Sequence, residues 1–457
     1  MALINTARYR KGAPMKPILM KPIEVRPKER ITRLACILVL SLLLGTTAAR
    51  ADAVTDWNAI AVDTAATAGA NPFAQGRYAA IVQLAVFEAV NSISGEYQSY
   101  LGTITQRTKG SPHAAAIEAS YKVLSHYFGL TNPTIQAALD TARTNSLSAI
   151  PDGQVKTDGI QAGDDAAQAM INLRANDGSA TPPFTMVPGP AAPGVYQLTT
   201  GCTAAIAFNW QFVTPFGIPR ASDYLLGPPP DLTSEAYTKT YKEVMTVGAI
   251  DSTERPQDRA NVALFFAAAS PTQAMNQAAR EVAEEEGGSL LENARALALI
   301  NMAMNDSLVT AFLNKYYYNF WRPETAIHAA DTDGNPKTVA DPNWAPFITT
   351  PCFPSYPSNH GSAVNAAAEV LRRLYGEAGH VITLTNPATP TIILRYNSFN
   401  EIADDVSDAR VYGGIHFRTD QDAGADLGRA VGRAVYKNNL RRVHDDDERA
   451  HWRTDEY

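Results

Sequence analysis

What most restricts this chain is how often its apolar residues recur at helical spacing. Arg77-YAAIVQLAVFEAVNSI, Ala114-AAIEASYKVLSHYF and Thr134-IQAALDTARTNSL each place them three and four residues apart, the period of a helix with one buried face. From about Ser234 to Lys315 several more such segments follow. Among them is the alanine-rich stretch Asn293-ARALALINMAMNDSLVTAFLNKYYYNFW, whose Met, Tyr and Phe positions read as core packing, not as a cofactor box. Two regions break the pattern. Thr181-PPFTMVPGPAAPGVYQLTTG, continuing to Gly227-PPPDL, is too dense in Pro and Gly for regular helix and reads as a long surface excursion or a boundary. His380-VITLTNPATPTIILRY reads as a small hairpin turning at Asn386-Pro387. The expected architecture is mainly α, packed helical bundles with a minor β-hairpin.

The two ends differ from this body. Residues 1–33 carry nine Lys/Arg against Glu24 and Glu29, and an apolar run from Leu34 to Leu44 leads to Ala49-Arg50-Ala51. That order predicts a secretory signal cleaved after Ala51, and the run is short for a permanent anchor. Leu440-RRVHDDDERAHWRTDEY reads as a charged tail, its His444 and His451 solvated rather than metal-binding. The expected division is a signal peptide over 1–51 and a helical N-terminal domain over 52–230 that ends in the Pro/Gly-rich excursion. A helical catalytic domain over 231–440 and the tail over 441–457 complete it.

Without residues 1–51 the chain has 29 Lys/Arg and 44 Asp/Glu, a net charge of −15. Such a surface repels nucleic acid and anionic membranes. The protein is expected to be exported, periplasmic or secreted. An oxidising compartment would let Cys202 and Cys352 pair, though two buried thiols fit the sequence equally. No apolar run long enough to span a bilayer is expected after residue 51, hence no stable membrane anchor. Oligomeric state is open, a homo-oligomer included.

Several common chemistries have no support. The chain lacks a Gly-x-Ser-x-Gly elbow, a His-Glu-x-x-His helix and a phosphate loop ending in Gly-Lys. What it does have is the turn Pro351-CFPSYPSNHG, followed by a helix-forming run. A helix start exposes unpaired N–H groups and favours negative charge. Ser358 or Asn359 there would by itself be an ordinary cap. Two other segments add cations. In Lys315-YYYNFW-Arg322-Pro323 the two bases are seven residues apart, nearly two helical turns, so both are expected on one face of a helix that Pro323 ends. In Asp408-Ala409-Arg410-VYGGI-His416-FRT-Asp420, the histidine and the last aspartate are four apart. On a helix Asp420 would take the ring N–H of His416 and leave its other nitrogen free.

Together, Lys-x6-Arg-Pro, Pro-Ser-x-His and Arg-x5-His-x3-Asp resemble the signature shared by vanadium-dependent haloperoxidases and type-2 phosphatidic acid phosphatases. The "FWRP" and "FPSYPS" blocks look closest to the haloperoxidase side. The motifs span 106 residues, from Lys315 to Asp420. The resemblance implies that Lys315, Arg322 and Arg410 neutralise the oxygens of bound vanadate, or of phosphate in the same site. It implies that Ser358 and the backbone N–H of Asn359 donate further hydrogen bonds. His416 would ligate vanadium or, in a phosphatase, be the phosphorylated nucleophile. His360 would be the general acid/base, Asp420 would orient His416, and Phe353 and Trp321 would line the pocket. Two positions depart from the family pattern. Asn359 stands where Gly is usual, which suggests a turn in need of a permissive backbone. Ala409 replaces a Ser before the last Arg, with the loss of a hydroxyl.

The same resemblance implies a fold of the haloperoxidase/acid phosphatase type and two chemistries for one pocket. About 263 residues separate Ala51 from Lys315, and so large a helical portion before the first block looks like the haloperoxidases. Phe353 occupies a position that is also aromatic in the fungal chloroperoxidase type. The first expectation is therefore a vanadate-dependent haloperoxidase, with hydrogen peroxide, halide and a small organic acceptor as partners. A soluble exported acid phosphatase acting through a phosphohistidine at His416 is the alternative, and a noncatalytic oxyanion-binding protein the third.

Overall fold

Thirteen α-helices make up most of residues 52–443, which a computed structural model describes apart from Pro183. The expected signal segment 1–51 with its expected cleavage point, and the tail from His444 onward, His451 included, lie outside the described residues. In chain order the first helices are α1 (Ala53–Thr67), α2 (Pro72–Ser94), α3 (Pro112–Leu124), α4 (Pro133–Ser148) and α5 (Gln154–Arg174). The next are α6 (Glu235–Val247), α7 (Gln257–Ala268), α8 (Pro271–Glu286), α9 (Leu290–Tyr318) and α10 (Pro323–His328). The last are α11 (Asn359–Tyr375), α12 (Phe399–Tyr412) and α13 (Arg418–Asn438). Four begin with one device: Asn71-Pro72, Ser111-Pro112, Asn132-Pro133 and Ser270-Pro271. In each, the polar side chain accepts a first-turn N–H while the proline removes one that would have no partner.

Sheet is minimal. The expected hairpin forms from β3 (Ala378–Leu384) and β4 (Leu394–Ser398), antiparallel, with Asn386 in its loop. Among its described residues the Pro/Gly-rich excursion holds only the two-residue pair β1 (Thr185–Met186) and β2 (Ala205–Ile206) and two 3-10 turns. It runs alongside the end of α9: Tyr196 N–H donates to Asn319 O, Trp321 N–H to Gly194 O, and Ile206 N–H to Cys352 O. Cys202 and Cys352 are bonded to each other, which decides the alternative that the sequence left open.

At the centre lies α9, with α2 on one flank and α11 and α13 on another. Segments from both sides of residue 230 therefore share a core. α9 corrects one expectation, for it is long and apolar enough to cross a membrane; but 94% of its apolar window is buried in this fold, so it is the central core helix. It also ends differently from the sequence reading. Asn319, in the left-handed region (φ 47°), returns its N–H to Lys315 O and closes α9. Pro323 does not terminate that helix; it opens α10 at the position where a missing N–H is harmless.

Two helix pairs pack through glycine. On α13 a Cβ at Gly424, Gly428 or Gly432 would stand within 2.7 Å of Ser358 O, Ser362 O or Ala366 O of the α11 segment. On α5 the same holds for Gly159 and Gly163 against Ser111 O and Ala115 O at the start of α3. Spacing of four puts the glycines on one face, and the backbones touch there without intervening side chains. The α11–α13 contact matters most, because it sets His416 and Asp420 against Ser358 and His360.

Candidate active site

Three sequence blocks meet at the junction of α9, α11 and α13. Lys315, in the last turn of α9, donates from Nζ to Pro354 O (2.8 Å) and Ser355 O (2.7 Å). Arg322 is not on that helix: it is the extended N-cap residue of α10 (φ −85°, ψ 157°). The chain reversal at Asn319, not helical spacing, brings it back beside Lys315. Its Nε donates to Phe353 O (2.8 Å) and its Nη1 to Ile415 O (2.8 Å). Three consecutive carbonyls, Phe353 to Ser355, thus hold two cations. The Phe353 ring covers both, 5.2 Å from Lys315 Nζ and 5.0 Å from the Arg322 guanidinium carbon, an arrangement favourable for cations over an aromatic face.

His416 lies in the loop before α13, so it and Asp420 do not share a helix as their spacing suggested. The contact forms nonetheless. Asp420 is at the third position of α13, and its Oδ2 is 2.8 Å from His416 Nδ1. That oxygen also accepts from the Phe417 N–H (3.1 Å) and from Ser355 Oγ. Since the carboxylate can only accept, the proton sits on Nδ1 and the lone pair on Nε2. Arg322 Nη1 approaches Nε2 at 3.0 Å.

Ser358 caps α11, its Oγ accepting the Gly361 N–H (3.1 Å), and its own N–H donates to Asp420 O (2.9 Å). Asn359 is the first helical residue. Among the described residues only Ala207, Asn319 and Leu440 are non-glycine positions with positive φ, so the need for a permissive backbone at Asn359 is not met. Its Oδ1 is buried without a partner. Arg410, near the end of α12, donates from Nη1 to Phe266 O (3.1 Å) in the last turn of α7. The same carbonyl lies beside the His360 ring, where it opposes the larger effects of burial and nearby cations on that imidazole. Trp321 is buried in an aromatic group with Tyr237, Phe320 and Phe417, whereas Phe353 faces the cations.

Burial sets the electrostatics. Lys315, Arg322, Ser358 and Asp420 are fully shielded and His416 nearly so, while His360 is partly exposed. Desolvation, reinforced by Arg322 and Arg410, pulls Lys315 well below its ordinary value. Arg322 comes down to about 10 through burial, and Arg410 to about 9 through burial and its neighbour Arg322; both stay charged at neutral pH. Burial and then the surrounding cations hold His360 and His416 well below the usual imidazole value, hence neutral. Burial pushes Asp420 up to about 6, so it too is ionised near pH 7. One carboxylate therefore faces three cations. Arg322 Nη2 and Arg410 Nε are buried with no acceptor among the described residues, which leaves donors aimed at nothing the protein supplies.

Sequence reasoning missed Ser355, although "FPSYPS" contains it, and the carbonyls of Phe266 and Phe353 to Ser355. A main-chain oxygen has no residue signature, so nothing in the sequence marked those carbonyls.

The region from 295 to 445, which carries all these cations and both histidines, matches the VCPO second helical-bundle domain. Over 277 residues the chain is 26% identical to a vanadium chloroperoxidase of Curvularia inaequalis. Residues 295–445 are a domain of the vanadium haloperoxidase family. The chloroperoxidase match takes in 45% of this chain and 44% of that relative's length, so the chain spans less than half of the curated relative. Among solved structures, a bacterial vanadium-dependent iodoperoxidase aligns with TM-score 0.71 and 22% identity, over 87% of this chain and 97% of the other. A bacterial vanadium-dependent chloroperoxidase aligns with TM-score 0.64 and 16% identity, over 80% and 92%. At those identities the likeness is one of fold, and it extends the family architecture into the helices before residue 295.

Proposed function

We propose that this protein is a vanadate-dependent haloperoxidase that uses hydrogen peroxide to oxidise halide to hypohalous acid. The observation that carries the proposal is the surplus of buried cationic donors around His416. Desolvated guanidiniums, each with one buried nitrogen left without an acceptor, fit a tetrahedral oxyanion in shape and charge. Lys315, Arg322 and Arg410 would hold vanadate by its oxygens, with Ser358 Oγ and the Asn359 N–H at the start of α11. His416 would ligate through Nε2, already stripped of its proton by the tautomer that Asp420 imposes. The chemistry that bound vanadate supplies is Lewis-acid activation of peroxide toward halide.

The protein's own contribution is positional and protolytic. Asp420 and Ser355 fix the imidazole of His416. His360, neutral and the one member open to solvent, is placed to take a proton from an incoming peroxide and return it on product release. The aromatic covering by Phe353 lowers the local polarity around Lys315 and Arg322, which strengthens their hold on charge. The resemblance in fold to bacterial iodo- and chloroperoxidases supports this reading over a phosphatase. The leader expected in the first 51 residues and the Cys202–Cys352 bond support an exported, periplasmic or secreted protein.

The test is an assay of iodide, bromide and chloride oxidation by phosphate-stripped protein, with and without orthovanadate, beside hydrolysis of a phosphomonoester without vanadate. Vanadate-dependent oxidation that disappears in His416→Ala is the expected result. Phosphomonoester hydrolysis without halide oxidation would replace this reading with the phosphatase. Vanadate binding with neither activity would leave an oxyanion-binding protein.

A further inference from the structure

The segment that holds the site cations is itself tied down from outside the site. Phe353, Pro354 and Ser355 present consecutive carbonyls to Arg322 Nε and Lys315 Nζ, and Ser355 Oγ reaches Asp420. The residue immediately before them is Cys352, bonded to Cys202 in the excursion. Beside that bond the two segments are joined by one backbone hydrogen bond, Ile206 N–H to Cys352 O (2.8 Å). Both cysteines are only half-buried, so a small thiol can reach them. The rest of the excursion has separate anchors: Thr200 donates through its N–H to Glu324 (2.9 Å), and Phe216, Gly217 and Ile218 donate to Asp306. Phe353 also packs with Ala207, Trp210 and Val213 of the excursion, so opening the disulfide removes the covalent tie beside Phe353 and leaves only that packing and single hydrogen bonds to hold its position, without releasing the whole excursion.

We infer that Cys202 and Cys352 are positioning residues for the oxyanion site, and that their disulfide makes oxyanion affinity depend on redox state. The three carbonyls supply both acceptors of Lys315 and one of the two carbonyl acceptors of Arg322. A small displacement of residues 353–355 turns both cations and loosens Asp420, and with it His416. Sites lose binding steeply when their supporting groups shift by about 1 Å. Reduction by a dithiol breaks the S–S bond, leaves two cysteine thiols and converts the dithiol to its own disulfide, so no further reactant is needed. The inference rests on the oxyanion site proposed above, but not on the haloperoxidase chemistry assigned to it.

Orthophosphate is the suitable probe, because thiols reduce vanadate. Phosphate affinity is measured by titration calorimetry on the full-length protein in three states: oxidised, reduced with dithiothreitol and desalted under nitrogen, and reoxidised. The expected result is binding weakened about tenfold or more on reduction and regained on reoxidation, with unchanged far-ultraviolet circular dichroism. The double variant Cys202→Ser/Cys352→Ser should bind like the reduced protein and not respond to dithiothreitol. Should that variant not fold, the comparison within the wild-type chain still decides. Equal affinity in all three states overturns the inference and leaves the oxyanion site standing. No phosphate binding by the oxidised protein overturns the site and the inference with it.

Discussion

Arg77 and Arg174 in the N-terminal helices, and Lys315, Arg322 and Arg410 around the candidate site, are all buried cations, but they are balanced differently. Asp177 accepts from Arg77 (2.6 Å) and from Arg174 (3.0 Å). Remaining donors go to carbonyls: Arg77 to Arg174 O, and Arg174 to Thr214 O and Pro215 O. Burial alone would raise Asp177; the two arginines, with the Ser179 N–H, overcome it and hold the carboxyl below its ordinary value. Among the described residues neither arginine has a buried nitrogen without a partner. Around His416 a single carboxylate serves three cations, and guanidinium nitrogens go unmatched. Two arginines sharing an aspartate, with no buried nitrogen left unpartnered, make a structural joint. Three cations with donors left over are the arrangement on which the proposed oxyanion site rests.

The contrast is broken most directly by removing one cation from each cluster. Arg77→Met leaves Asp177 with a buried, half-compensated charge and should cost about 3–5 kcal/mol in denaturant unfolding. Arg410→Met in anion-free protein removes an unpaired buried charge at the loss of one hydrogen bond, so its midpoint should be no lower than wild type. A destabilisation by Arg410→Met as large as that of Arg77→Met would show the two clusters to be alike. A smaller effect follows from the anion. Orthophosphate at 100 times its Kd should stabilise the wild type by about 2.7 kcal/mol and leave Arg410→Met unmoved in a thermal shift assay.

Protonation sharpens the difference further. His360 faces Arg410, Lys315 and Arg322 and is held well below its ordinary value of 6.5. As pH falls below 6.5 the unfolded chain binds a proton that the folded anion-free chain refuses. The wild type should then lose stability relative to His360→Gln, by up to about 1.4 kcal/mol per pH unit until the folded value is reached. A difference between the two proteins that is flat from pH 7.5 to 5.5 would contradict the electrostatics derived for the site. The smallest effect concerns Asn359. Its backbone is already helical, so Asn359→Gly relieves no backbone strain; the chain-entropy cost of about 0.5–1 kcal/mol is opposed by removal of the partnerless Oδ1. The net change in denaturant unfolding should therefore stay within about 1 kcal/mol, and a larger gain would restore the idea of a strained turn.

Much of this was legible in the sequence because charged residues rarely hide without reason. The three blocks, the helical class and the hairpin at His380–Tyr396 were all readable from residue type and spacing. The geometry that joins the blocks was less so. Helical spacing of Lys315 and Arg322 suggested a shared face, whereas a left-handed Asn319 ends the helix and the extended backbone at Arg322 brings it back. The His416–Asp420 spacing gave the right partners on the wrong scaffold, since a loop residue and a first-turn residue also meet at that separation. Helices α1 and α5 went unread, and so did the glycines at 424, 428 and 432, whose regular spacing was in plain view. The carbonyls of Phe266 and of residues 353–355 could not be read at all.

Those three glycines have a consequence for how such a site can change over time. With main chain seated directly on main chain, the distance between the two halves of the site is fixed like a gauge block, independent of any side chain that mutation can alter. Side chains around the proposed oxyanion site, such as Asn359 and Ala409 at the two departures from the resembled pattern, can then drift without the halves moving apart. Chemistry is left free to vary because the spacing is not.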